Sequence, residues 1–152
     1  MKIYLVQHGE AKSEQEDPER GLTEKGIEDL HKIGKFLQKM DMKLDKIYHS
    51  GKKRAEQTAE ILKNYLKIEG NIQKIEGISP MDEPEILYER IKDFDENIMI
   101  VGHLPHLSKF SSLLLSGDKN KNIINFKMGS VLCLSKSQEG FKIDLFLIPE
   151  IS

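Results

Sequence analysis

Three short polar clusters in this chain carry residue types that can move a phosphoryl group: Gln7-His8-Gly9-Glu10, His49-Ser50 running on to Arg54, and Gly102-His103. A neutral imidazole can attack phosphorus in line and form a phosphohistidine that water later hydrolyses, provided something neutralises the phosphoryl oxygens. Arginine suits that second task, because its guanidinium is always charged and meets two oxygens at once. One isolated histidine would more often satisfy a loop hydrogen bond. The company of Arg54 and His103 is what makes His8 a candidate nucleophile.

The surrounding sequence has the elements needed to bring these clusters together. Residues 2–7 (KIYLVQ) form a β-rich apolar run that stops at His8-Gly9, where glycine permits a sharp turn. Thr23 then precedes apolar residues recurring at Ile27, Leu30, Ile33, Phe36, Leu37 and Met40, the spacing of an amphipathic helix. Residues 45–49 suggest a second strand, and Ala55, Thr58, Ala59, Leu62 and Leu66 share one helical face after Ser50-Gly51. A weak strand near 72–76, a helix from Pro84 to Phe94 and a buried strand at 97–102 follow. His103-Leu104-Pro105 opens an apolar helix to about Leu115, ended by Gly117-Asp118, and candidate strands at 122–126, 130–135 and 141–148 close the chain. Alternating strands and helices predict an α/β fold, a three-layer α/β/α sandwich around a mainly parallel central sheet. In such sheets ligands bind beyond the carboxyl ends of the strands, where all three polar clusters fall.

Composition narrows the setting. A length of 152 residues fits a single domain spanning 1–152. Lys plus Arg (23) nearly balance Asp plus Glu (25), so a net charge of −2 offers no global field for nucleic acid or an anionic membrane. Cys133 is the sole cysteine, which excludes an intramolecular disulfide and a Cys-rich metal site. The apolar run after Lys2 is too short for a signal-peptide core or a membrane span, so a cytoplasmic protein is expected. His103 and His106 lack the i, i+4 spacing of a helical metal pair and have no obvious third ligand, and neither metal nor cofactor is expected.

The motifs LVQHGEA, RGLTEKG, SGKKRAEQTAEIL and IVGHLPHLS, in order from residue 1 to about 116, resemble the histidine phosphatase superfamily, also called phosphoglycerate-mutase-like. Length, the absence of a large insertion and the Arg-Gly-Leu-Thr segment make the chain most similar to the SixA-type phosphohistidine phosphatases. The resemblance implies that His8 is the nucleophile, Arg54 an arginine of the phosphate pocket and His103 its second histidine, with Gln7 and Gly9 also at the phosphate. Arg20 matches a basic position that reaches the phosphate in SixA-like members. Glu10 is the other carboxylate near the site and either orients His8 or His103, acts as an acid, or faces solvent.

The family's usual Arg-His-Gly is Gln7-His8-Gly9 in this chain, so one full positive charge is missing. A glutamine amide can still donate to phosphate, but neutral bonds are roughly half as strong as charge-assisted ones. Lys52, Lys53 or Arg20 can restore the charge, although lysines at a helix start are more often simply solvated. Larger relatives that cleave phosphate esters protonate the leaving alkoxide with an acid after the third strand. Asp82, Glu83 and Glu85 lie near that region, but acidic residues also favour a helix N-terminus for its dipole. An imidazole leaving group needs little such help, so the expected substrate is a phosphohistidine-bearing protein in signal transduction. The alternatives are a phosphomonoesterase acting on a small phosphorylated substrate, and a low-turnover phosphate-binding module created by the loss of the first arginine. The oligomeric state is open.

Overall fold

The computed structural model describes residues 1–68 and 70–151, the last by its backbone alone. Strand β1 (Lys2–Gln7) buries every residue after Lys2 and lies in the interior of a six-stranded sheet. The other strands of this sheet are β3 (Lys46–His49), β5 (Ile72–Lys74), β6 (Ile98–Gly102), β7 (Val131–Ser137) and β8 (Gly140–Leu147), in the order β5-β3-β6-β1-β7-β8. The first four are mutually parallel, while β7 and β8 add an antiparallel hairpin at one side.

Alternation along the strands divides the apolar side chains between two faces. Tyr4, Val6, Ile47, Met99 and Val101 meet α1 (Glu24–Lys39) and α2 (Lys53–Lys63) through Leu30, Ile33, Leu37, Ala55, Ala59 and Leu62. Ile3, Leu5, Ile98 and Ile100 meet α3 (Pro84–Ile91) and α4 (His106–Ser116) through Leu87, Ile91, Leu107 and Phe110. A sheet apolar on both faces must be covered on both, and the result is the expected three-layer arrangement. Each such fully buried side chain contributes about 1.5–3 kcal/mol. The Thr23 hydroxyl caps α1 by accepting the Gly26 N–H at 3.0 Å. Gly26 itself is required by close approach, because an added Cβ would run into the Glu10 backbone.

Some boundaries differ from the sequence expectation. No strand forms at 122–126: Ile124 and Phe126 bury their side chains against the α3–α4 layer without joining a ladder, and Ile123 faces solvent. The fourth helix begins at His106 rather than His103, since residues 103–105 make the turn out of β6 and Pro105 occupies the cap position. Helix α3 stops at Ile91, three residues short of Phe94. A two-residue parallel pairing of β2 (Lys43–Leu44) with β4 (Lys67–Ile68) has too little sequence to announce itself. No helix among the described residues is long and apolar enough to cross a membrane.

Candidate active site

Because β3, β6 and β1 are adjacent and parallel, their carboxyl ends open on the same edge of the sheet. Gln7 pairs with Gly102 and His49 with Val101, so the chain leaves all three strands at nearly one level. This register brings together His8, His103 and the loop leading to Arg54.

His8 is fixed by its backbone and by its ring. Its N–H donates to the Gly102 carbonyl at 3.1 Å, and ring Nδ1 lies 2.7 Å from the Gly9 carbonyl oxygen. A carbonyl only accepts, so Nδ1 carries the hydrogen and the lone pair of the neutral ring is on Nε2. Burial pushes the His8 pKa down from 6.5 to about 4, with the charges of Arg54 and Arg20 acting in the same direction and the Gly9 bond opposing them. The ring is therefore uncharged at neutral pH.

The His103 ring sits 5.1 Å from that of His8, centroid to centroid, tilted by 51°. Its Nε2 is 2.6 Å from the Ser50 hydroxyl, which also accepts the Lys52 N–H at 3.3 Å. With Ser50 donating to Nε2, the ring hydrogen resides on Nδ1, a buried atom without a hydrogen-bond partner among the described residues. Burial first, then the nearby His8, Arg54, Lys52 and His106, lower the His103 pKa to about 3.

Arg54 lies in the first turn of α2, half-buried, with a buried Nε that has no partner among the described residues. No carboxylate comes within ion-pair distance of it in the same set, and burial together with Arg20 lowers its pKa from the usual value. Arg20 holds a left-handed backbone (φ 54°) and donates from Nε to the Lys12 carbonyl at 3.0 Å. Both arginines line an open groove of ≈ 780 Å³ together with Gly51, Lys52, Lys53 and Gln57, while Glu14, Glu19 and Glu56 complete its charged wall. Two guanidinium groups without an ion-pair partner among the described residues can together hold an anion, and His8 and His103, although outside the groove's lining, lie close enough for the charge of Arg54 to act on both rings.

The remaining sequence candidates separate. Gln7 is 8% exposed, its Oε1 is buried without a partner among the described residues, and it does not line the groove. Gly9 was expected at the phosphate, but both of its backbone groups are already committed: its carbonyl to the His8 ring and its N–H to Thr58 Oγ1 at 3.0 Å. These bonds hold the loop that carries His8. For Glu10 the expectation left open an acid, an orienting role or a solvent-facing side chain, and its carboxylate accepts the Thr23 hydroxyl at 2.7 Å, at the start of α1. Asp82 accepts the Ser79 N–H through Oδ2 and its charge bears on His106, while Glu83 and Glu85 both bind Lys119. His106 stacks on Phe110 (6.0 Å, 7°) with both ring nitrogens buried and unpartnered among the described residues. His49 Nδ1 accepts the Gly51 N–H, and His31 meets the Tyr65 hydroxyl. Among the described residues no group of three or more His, Cys, Asp or Glu side chains could hold a metal ion.

Two contacts escape a sequence reading. Ser50 falls within a polar cluster, but nothing local announces its bond to His103. Thr58 looks like part of a helical core face, although a hydroxyl among Ala55, Ala59 and Leu62 is itself a signal, since a buried polar group needs a partner.

Comparisons with known proteins bear on the fold and the family. The model of the histidine phosphatase superfamily (branch 1) matches residues 3–82, more than half of the chain. An uncharacterised protein of Picosynechococcus is 26% identical over 141 residues, covering 88% of this chain and 84% of that one. The protein histidine phosphatase SixA, solved with tungstate, superposes with a TM-score of 0.88 at 16% identity over 99% of each chain. A putative SixA from Agrobacterium tumefaciens gives 0.77 at 21% identity, over 96% of this chain and 97% of that one. A putative alpha-ribazole-5'-P phosphatase from Escherichia coli K-12 gives 0.80 at 16% identity over 98% of each. At these identities the structures establish a shared fold, and the superfamily match establishes kinship: the chain belongs to branch 1 of the histidine phosphatase superfamily.

Proposed function

We propose that this protein is a phosphohydrolase that passes a phosphoryl group through His8 Nε2, with phosphohistidine on a protein as its substrate. The observation that carries the reading is the state of His8: its Nδ1 hydrogen is tied to the Gly9 carbonyl and burial keeps the ring neutral, which leaves the Nε2 lone pair beside Arg54. In the first step Nε2 forms a bond to phosphorus while the bond to the leaving nitrogen breaks. The departing imidazole takes the electron pair, and a solvent proton already on its distal nitrogen lets it leave neutral. In the second step water attacks phosphorus, the bond to His8 breaks, and inorganic phosphate leaves as the water proton passes to solvent. Arg54 and Arg20 neutralise the equatorial oxygens, and His103 Nδ1–H donates to the same group.

The choice of an N-phosphate over an ester rests on where the acids are. An alkoxide leaving group needs a proton donor, and among the described residues none of Glu10, Asp82, Glu83 and Glu85 is bonded to His8 or His103. The open, charged groove also suits a residue presented on a protein surface. The whole chain is proposed to work as one cytoplasmic domain, with every step assigned to its own side chains.

The test supplies a phosphohistidine-bearing protein and a panel of phosphoesters to the wild type and to His8→Ala, following phosphate release and labelled phosphate on the enzyme. Release from phosphohistidine, with acid-labile label that disappears in His8→Ala, is expected. Comparable ester turnover would replace the substrate assignment, and orthovanadate binding without turnover or label would make the protein a phosphate-binding module.

A further inference from the structure

The groove that Arg54 lines contains four cations, and they are not equivalent. Lys53 is spent on carboxylates, with Nζ 3.0 Å from Glu19 and 4.0 Å from Asp17. Arg20 commits its Nε to the Lys12 carbonyl and keeps its terminal nitrogens. Arg54 has no carboxylate partner among the described residues, and neither has Lys52, whose ammonium is mounted on the residue that precedes α2. Lys52 is also joined to the reacting groups through its backbone: its N–H donates to Ser50 Oγ, the same oxygen that meets His103 Nε2. The residue next to His8 at the end of β1 is the neutral Gln7, which lies outside the groove's lining and whose Oε1 is buried without a partner among the described residues, so β1 brings no positive charge to the site.

From this arrangement we infer that Lys52 is a phosphoryl-binding residue, supplying from the start of α2 the positive charge that the end of β1 lacks in Gln7. The inference rests on the phosphohydrolase reading above. A lysine suits the position, because a long stem with three rotatable donors can follow phosphoryl oxygens from the rim while Arg54 grips from deeper in the pocket. Its charge already bears on His103, where it helps to keep that ring neutral. Sequence alone could not separate Lys52 from Lys53; the ion pairs of Lys53 do so.

The experiment measures orthovanadate affinity by calorimetry, and phosphohistidine turnover, for wild type, Lys52→Met, Lys52→Gln, Lys52→Arg and Lys63→Met. Lys63 is exposed in the last turn of the same helix and controls for loss of one charge. Removing Lys52 should weaken orthovanadate binding about five- to tenfold, a charge-assisted contact discounted for its exposed position. Lys52→Arg should stay within about threefold of wild type. The two neutral variants guard against a folding failure of either one. In a Gln7→Arg background the loss from Lys52→Met should shrink, because the two cations would then serve the same oxygens. Wild-type orthovanadate affinity in both neutral variants overturns the role of Lys52 while leaving the phosphohydrolase reading intact. A wild-type protein that neither binds orthovanadate nor releases phosphate overturns both, and an equal loss in Lys63→Met reduces the effect to general electrostatics and overturns the assignment.

Discussion

The Thr58 hydroxyl accepts the Gly9 N–H at 3.0 Å and donates to the Arg54 carbonyl at 2.8 Å, so one oxygen ties the loop of the nucleophile to the helix that carries the guanidinium. Thr58→Val keeps the shape but leaves the buried Gly9 N–H unpaired. It should cost about 1–3 kcal/mol in urea unfolding and lower kcat as His8 loses its seat. Thr58→Ser, which preserves the oxygen, should restore most of both. Equal behaviour of the two variants would show that Thr58 contributes packing alone.

His8 should set an unusually low acid limb. An ordinary imidazole would inactivate near 6.5, but burial holds this ring at about 4, so turnover should persist through pH 5 and fall as pH drops through about 4. Rates need enzyme-free controls, because N-phosphates hydrolyse in acid. An inflection near 6.5 would mean that the ring titrates as if in solvent.

Arg54 should not tolerate lysine. The substituted side chain would retain the charge but lose the planar fork, and an ammonium cannot reproduce the guanidinium donors of a half-buried site. Arg54→Lys is expected to lower kcat/KM by about tenfold or more, the loss of one charge-assisted bond. Wild-type kcat and KM would remove Arg54 from the site.

Acid should also destabilise the fold itself. His8, His103 and His106 are held neutral in the folded protein, at about 4, 3 and 4, whereas unfolded imidazoles take protons near 6.5. Their contribution is complete above 6.5 and is lost as pH falls toward 4, and between those values, near pH 5, the unfolded chain binds up to about three more protons. His106→Leu should remove about one proton from that linkage and stabilise the protein below pH 6, since both nitrogens of the ring it replaces are buried and unpartnered among the described residues. Unfolding titrations at several pH values read this directly. An unchanged slope would place His106 outside the linkage.

What could be read from sequence follows from locality. His8 and His103 each end a buried parallel strand, and Arg54 starts the helix after the third, so apolar runs and their stops were enough to bring the three together. Ser50 with His103 and Thr58 with Gly9 are contacts across 53 and 49 residues, and no local pattern encodes them. The bonds of Gly9 to Thr58 and of Glu10 to Thr23 are equally non-local, because those partners come from elements that fold over them. At 122–126 the alternation was real but reported burial of Ile124 and Phe126 rather than strand pairing.

The interior position of β1 bears on how the site can move. Its amides are locked on both sides, by β6 and by β7, and the His8 N–H is itself bonded to Gly102. Amides of this kind exchange with deuterium only when the whole molecule opens. The proposed nucleophile is thus mounted on a part of the chain expected to exchange slowly, whereas at the rim of 12–21, where Asp17 receives the Gly21 and Glu19 N–H groups, exchange is expected without unfolding of the sheet.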